Sequence, residues 1–97
     1  DVFMASINTI KVLDFLKSNG AGAKFTAKQV QQALGVEKVQ QVTGAVLTIE
    51  RKGKKAGVDY IERFSMPTEI QNPDGTTTVK DVKYFTLTEA GMNLTIE

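Results

Sequence analysis

The chain has no cysteine and no histidine among its 97 residues. Those two absences remove disulfides, thiolate zinc sites, imidazole metal ligands and every catalytic pair built on a histidine base. The eleven acidic residues are scattered without the spacing of a carboxylate metal site. No apolar run approaches the roughly 18 residues that a membrane-spanning helix requires. The opening stretch, DVFMASINTIKVLDF, lacks the basic segment and long apolar run of a secretory leader. The expectation is a cytoplasmic protein with no membrane segment, no cofactor and no enzymatic activity.

What is present is the composition of an ordinary globular domain, 41% hydrophobic and 24% charged. A chain of this length holds one core, so residues 1–97 are read as a single domain. The net charge is only +1, but it is unevenly spread. The first 57 residues carry nine basic and four acidic side chains, or +5, and the remaining 40 carry three and seven, or −4. A basic half joined to an acidic half points to one face turned toward a polyanion. Ordinary solvated surface charge is the alternative.

Apolar periodicity predicts three helices. In the first, from about Ser6 to Ser18, Ile7, Ile10, Leu13 and Leu16 recur at three-residue steps, with Val12 beside them and Phe15 extending the stripe. Gly20 and Gly22 follow as terminators. The second begins at Thr26, a capping residue with Gln29 three positions on, which permits a capping box. Phe25 and Val30 match a hydrophobic staple across that cap, and Ala23 to Phe25 fits a short lead-in strand. Val30, Ala33 and Leu34 form its buried side, and Gly35 ends it. The third helix is predicted from Glu37 to Lys52, closed by Gly53, with Val39, Val42, Ala45, Val46 and Ile49 on the inner stripe. At ~100° per residue, Gln40, Gly44, Leu47, Thr48 and Arg51 fall on the opposite side.

Beyond Gly53 the pattern changes to strands. Asp59 to Met66 and Val79 to Leu87 are rich in aromatic and β-branched residues, and Asn72-Pro73-Asp74-Gly75 fits a tight turn between them. Pro67 places its strand at an edge or bends it. A short helical turn is expected from Thr88, with Glu89 near its N-terminus. The expected core is Ile10, Leu13, Leu16, Val30, Leu34, Val42, Val46 and Ile49, closed by Phe85 and Leu87. If the hairpin is regular, Tyr60, Phe64, Met66, Val82 and Tyr84 lie on a face turned away from that core. A bulge at Pro67 would instead turn both apolar sets inward.

Three helices and a hairpin, with a glycine-marked turn between the second and third helices, define a short list of folds. The segments TAKQVQQALGVEKVQQVTGAVLTIERKG and YFTLTEAG resemble the helix-turn-helix and closing wing strand of winged-helix transcription regulators of prokaryotic or phage type. The resemblance extends from about Ser6 to Gly91. It implies an α+β winged helix, a three-helix bundle with a C-terminal β-hairpin wing, that binds double-stranded DNA with its third helix in the major groove. Carried onto this sequence, it places Lys38, Gln40, Gln41, Thr43, Gly44 and Thr48 toward the groove. Glutamine can bond adenine's N6 and N7, and lysine can reach guanine. Arg51, Lys52, Lys54 and Lys55, in the run RKGKK, would neutralise phosphates, with Thr26 and Lys28 contacting the backbone from the second helix.

Gly44 in mid-helix costs ~1 kcal/mol against alanine. It serves either close approach to DNA or a crowded neighbour within the fold. The sequence departs from the common pattern in KKAGVDY, which intervenes before the first wing strand. It departs again in the acids Asp59, Glu62, Glu69, Asp74 and Asp81, so that the tip, Thr76 to Thr78 with Lys80, is the part expected to approach phosphate. The terminal dimerisation helix of many such regulators has no counterpart after Gly91, and a homodimer through the hairpin is expected in its place. A winged helix that binds another protein and has no DNA affinity is the competing reading.

Overall fold

The computed structural model describes residues 7–95. Helix α1 (Ile7–Asn19) leads through a two-residue strand β1 (Lys24–Phe25) into helices α2 (Ala27–Leu34) and α3 (Val39–Ala56). A hairpin of β2 (Ile61–Gln71) and β3 (Thr77–Leu87) follows, and a single turn, α4 (Glu89–Met92), comes last. The sheet is antiparallel in the order β1-β3-β2, which makes the protein α+β. Ser6, at the expected start of the first helix, lies outside the described residues.

The entry to α2 forms as its sequence dictates. The Thr26 hydroxyl accepts from the Gln29 backbone N–H at 3.1 Å, and the Gln29 side chain accepts from the Thr26 N–H at 2.9 Å. Phe25, beside the cap, meets the Phe15 ring edge-on at 5.1 Å and ties β1 to α1. The following turn is tethered from α2, because the Gln31 amide donates to the carbonyls of Val36 and Glu37. Gln41 then caps α3, its side-chain oxygen accepting from the Lys38 N–H at 2.8 Å.

The core joins α1, α2 and α3 to the base of the sheet. It consists of Val12, Leu13, Leu16, Val30, Val42, Ala45, Val46, Ile49, Ile61, Phe85, Leu87 and Leu94. Two expectations about it need correction. In α1 the buried face is Thr9, Val12, Leu13 and Leu16; Ile10 is only half-buried and Ile7 is 68% exposed. The stripe through Ile7 and the stripe through Val12 are both apolar, and packing against α3 selects the second. Ala33 is exposed on α2, and Leu34 and Val36 pack at the core's edge instead.

The third helix also runs further than expected, beginning at Val39 rather than Glu37 and passing through Gly53 to Ala56. Gly53 is buried inside the helix, against the segment Val58 to Tyr60. The left-handed terminator is Gly57, with φ of 74°. Glycine at both positions reads alike in sequence, yet one meets a packing constraint and the other a backbone one.

The hairpin is longer than its apolar segments predicted, with eleven residues in each strand. Tyr60 pairs with Thr88 through the Thr88 N–H, and Asn72 with Thr76 through the Asn72 N–H, at 3.0 and 2.8 Å. Between these pairs the ladder is regular, with Phe64 opposite Tyr84 and Pro67 opposite Asp81. Even-numbered residues of β2 therefore bond to β3, and odd-numbered ones point their backbone groups outward. Pro67 is odd and on the edge strand, so its missing N–H removes no ladder bond, and the strand continues through it.

At the tip, Pro73, Asp74 and Gly75 make a three-residue loop with Gly75 at φ 89°. The Asp74 carboxylate accepts from the Thr76 hydroxyl at 2.6 Å and from its N–H at 3.0 Å. These bonds, the hydroxyl's first, hold its pKa below the ordinary carboxylate value. A lowered folded-state pKa contributes order that is complete above the usual value and is lost as pH falls through the lowered one. The Thr76 amide is therefore expected to keep its NMR shift at neutral pH and lose it in acid, and a shift insensitive to acid would remove Asp74 from the turn.

Candidate functional site

Successive positions on α3 are turned by about 100°, so the buried set Val42, Ala45, Val46, Ile49 and Gly53 defines its inner side. The opposite side carries Gln40, Gly44, Leu47, Arg51 and Lys55, a stripe ~22 Å long at 1.5 Å per residue. Thr43 and Lys54 flank the stripe toward the hairpin. Gln40, Thr43, Gly44, Arg51, Lys54 and Lys55 are all exposed. Because α3 continues to Ala56, Lys54 and Lys55 stand in its last turn rather than in a loop beyond it. There they complement the negative end of the helix dipole while projecting into solvent.

Gly44 has a definite meaning in this setting. A Cβ built on it meets nothing within 4 Å, so no neighbour inside the fold requires glycine there. The crowded-neighbour alternative is removed. The Thr48 hydroxyl donates to the Gly44 carbonyl at 2.8 Å, which keeps Thr48 against its own helix.

The other nominated residues divide by placement. Lys28 is exposed in the first turn of α2 and Lys38 is exposed at the N-cap of α3, both at helix starts. The Thr26 hydroxyl oxygen accepts within the capping box. Gln41 is half-buried with its oxygen bonded to the Lys38 N–H, so it holds the helix start rather than offering a free amide. Lys52 is half-buried, one step around the helix from the outward stripe.

The hairpin supplies residues that the sequence did not single out. Directly opposite pairs Arg63–Phe85 and Ser65–Lys83 share the face turned to α3. Arg63 donates from Nε and Nη2 to the two Glu50 oxygens at 2.9 and 3.0 Å, a bidentate bridge between hairpin and helix. Arg63 is half exposed, so the bridge contributes at most about 1 kcal/mol, and its main effect is to set the angle between the elements. Between them lies a cleft of about 420 Å³, with Val46, Leu47 and Phe85 below, Phe64 and Tyr84 also in its lining, and Thr43, Ser65 and Lys83 at its margin. Counting back by two from Phe85 would have placed Lys83 here; Arg63 and Ser65 required the strand register.

The opposite face of the hairpin carries Phe64, Met66, Ile70, Val82 and Tyr84, all half-buried. Phe64 and Tyr84 stack at 6.0 Å, Lys24 lies over the Phe64 ring, and the Tyr84 hydroxyl meets Thr68 at 2.9 Å. The alternation is regular, so the apolar sets do face opposite ways. Tyr60 departs from the expectation, since it precedes β2 and packs on the core beside Gly53.

Among the described residues no cluster of acids could hold a metal ion, and no helix is long and apolar enough to cross a membrane. No family model, curated protein or solved structure matches the chain at a significant level.

Proposed function

We propose that the protein is a winged helix that binds double-stranded DNA, with the outward face of α3 in the major groove and the β2–β3 hairpin as its wing. It would act as a transcription regulator or an accessory DNA-binding protein. The element order supports the fold reading, since β1 lies between α1 and α2 and pairs with the strand that returns from the wing. The observation that carries the functional reading is Gly44. It sits in mid-helix on an exposed face, no internal contact requires it, and Arg51, Lys54 and Lys55 extend the same side. A glycine that lowers helix stability without serving the fold is accounted for by close approach of a partner to the backbone.

Gly44→Ala tests this directly. Helix propensity predicts a gain of ~1 kcal/mol in stability. DNA affinity is expected to fall by about 1–3 kcal/mol, the usual effect of forcing a methyl group into a packed contact. Stabilisation with unchanged DNA affinity would sink the groove assignment.

The reading without DNA affinity draws on the apolar outer face of the hairpin. We assign that face to a two-fold contact between copies, which would also match a palindromic site. From Phe64 to Ile70 it is ~20 Å long and ~10 Å wide, small beside the ~800 Å² per partner of a stable interface. The dimer is therefore expected to be weak and strengthened on DNA. Sedimentation equilibrium over rising concentration should show it, and Phe64→Ser should abolish it. A wild type that stays monomeric at every concentration, with and without DNA, removes the contact.

A further inference from the structure

We propose that the cleft between α3 and the hairpin binds a small aromatic carboxylic acid, its ring against Val46, Leu47 and Phe85 and its carboxylate on Lys83. This site goes beyond the DNA-binding reading and does not depend on it. The volume of about 420 Å³ lies within the ~300–1,000 Å³ range of small-molecule sites. Its composition has the asymmetry of such sites, an apolar floor with few polar groups placed together at the margin. Val46 and Phe85 are buried, Leu47 is half-buried, and the Phe85 ring offers an aromatic partner at the floor.

The charge at the margin selects the ligand's sign. Glu50, the carboxylate nearest in the fold to this cleft's Arg63, is held in the bidentate pair with that guanidinium. Lys83 has no carboxylate partner among the described residues, and Ser65 stands directly opposite it across the ladder. One unpaired ammonium with the Ser65 hydroxyl opposite it suits a single carboxylate. A phosphodiester strand fits less well, because the floor beneath that cation is hydrocarbon. A bound acid would touch α3 and the hairpin together and so fix the angle that the Arg63–Glu50 pair otherwise sets.

The test is an amide-resolved NMR titration of the whole chain with 1-naphthoate, in the absence of nucleic acid. Saturable shifts are expected at Thr43, Leu47, Ser65 and Lys83. Lys83→Met, at an exposed position, should keep the spectrum of the folded protein and weaken binding by roughly tenfold or more, the effect of losing a charged hydrogen bond. The neutral 1-naphthamide should bind the wild type as weakly as 1-naphthoate binds the variant. The proposal is overturned if no saturable shift occurs, or if the shifts centre on Met66, Ile70 and Val82, which do not line the cleft. Equal affinity for acid and amide would overturn it as well. Because no DNA is present, a protein that failed to bind DNA would leave this result intact.

Discussion

Gly53→Ala is expected to destabilise the protein by roughly 3 kcal/mol, at the upper end of the usual effect of overpacking. In an ordinary helix interior the same substitution would stabilise by ~1 kcal/mol. Here the added methyl group meets the Val58 carbonyl oxygen and the Tyr60 backbone and ring. The obstruction is mainly backbone, in a segment anchored by the Val58 N–H bond to the Gly53 carbonyl at 2.8 Å, so a rotamer change cannot relieve it. Gly44→Ala, nine positions earlier in the same helix, carries the opposite sign. Urea unfolding of the two variants measures both, and a Gly53→Ala protein as stable as the wild type would mean that α3 does not pass over Val58 as described.

Replacing Arg51, Lys54 and Lys55 together with alanine is expected to lower DNA affinity on the order of a hundredfold near 0.15 M salt. The figure follows from counterion release, about 0.9 ions for each of three phosphate contacts. The same count predicts that the slope of log affinity against log salt falls by about 2.7, whatever the DNA sequence. Lys52 is left out of this set because it is half-buried off the outward stripe. The three replaced residues are exposed, so the fold should persist. A variant with unchanged salt slope would exclude Arg51, Lys54 and Lys55 from phosphate contact, and the protein-interaction reading would then lead.

Much of the local structure was legible because its causes lie within a few residues. Thr26 and Gln29 satisfy each other's backbone groups across three positions, and the capping box forms as read. Asn72 to Gly75 turns the chain because proline presets one dihedral and glycine accepts a positive one. The inner stripe of α3 was visible as well, since Val42, Val46 and Ile49 are flanked by polar residues that leave one apolar side. In α1 the apolar residues Ile7, Ile10, Val12, Leu13, Phe15 and Leu16 spread around more than one side, and periodicity alone cannot choose among them.

The candidate site was half legible for a similar reason. Gln40, Gly44 and Arg51 share a face by helical geometry, which any reader of the sequence can count. That Gln41 is spent as a cap depends on which of two adjacent glutamines meets the Lys38 N–H. The cleft with Lys83 depends on pairing residues far apart in the chain, Arg63 with Phe85 and Ser65 with Lys83.

The sequence by itself determined three helices, the polar and apolar sides of α3, the capped start of α2, the turn at the hairpin tip and the basic outward end of α3. Each follows from short-range sterics, hydrogen bonding or charge. Tertiary structure alone decided which side of α1 is buried and that α3 passes its first glycine to stop at its second. It decided too that the hairpin continues through Pro67 and closes a cleft against α3. Those outcomes rest on contacts between segments distant in the chain, where several local arrangements are nearly equal in energy and packing selects one.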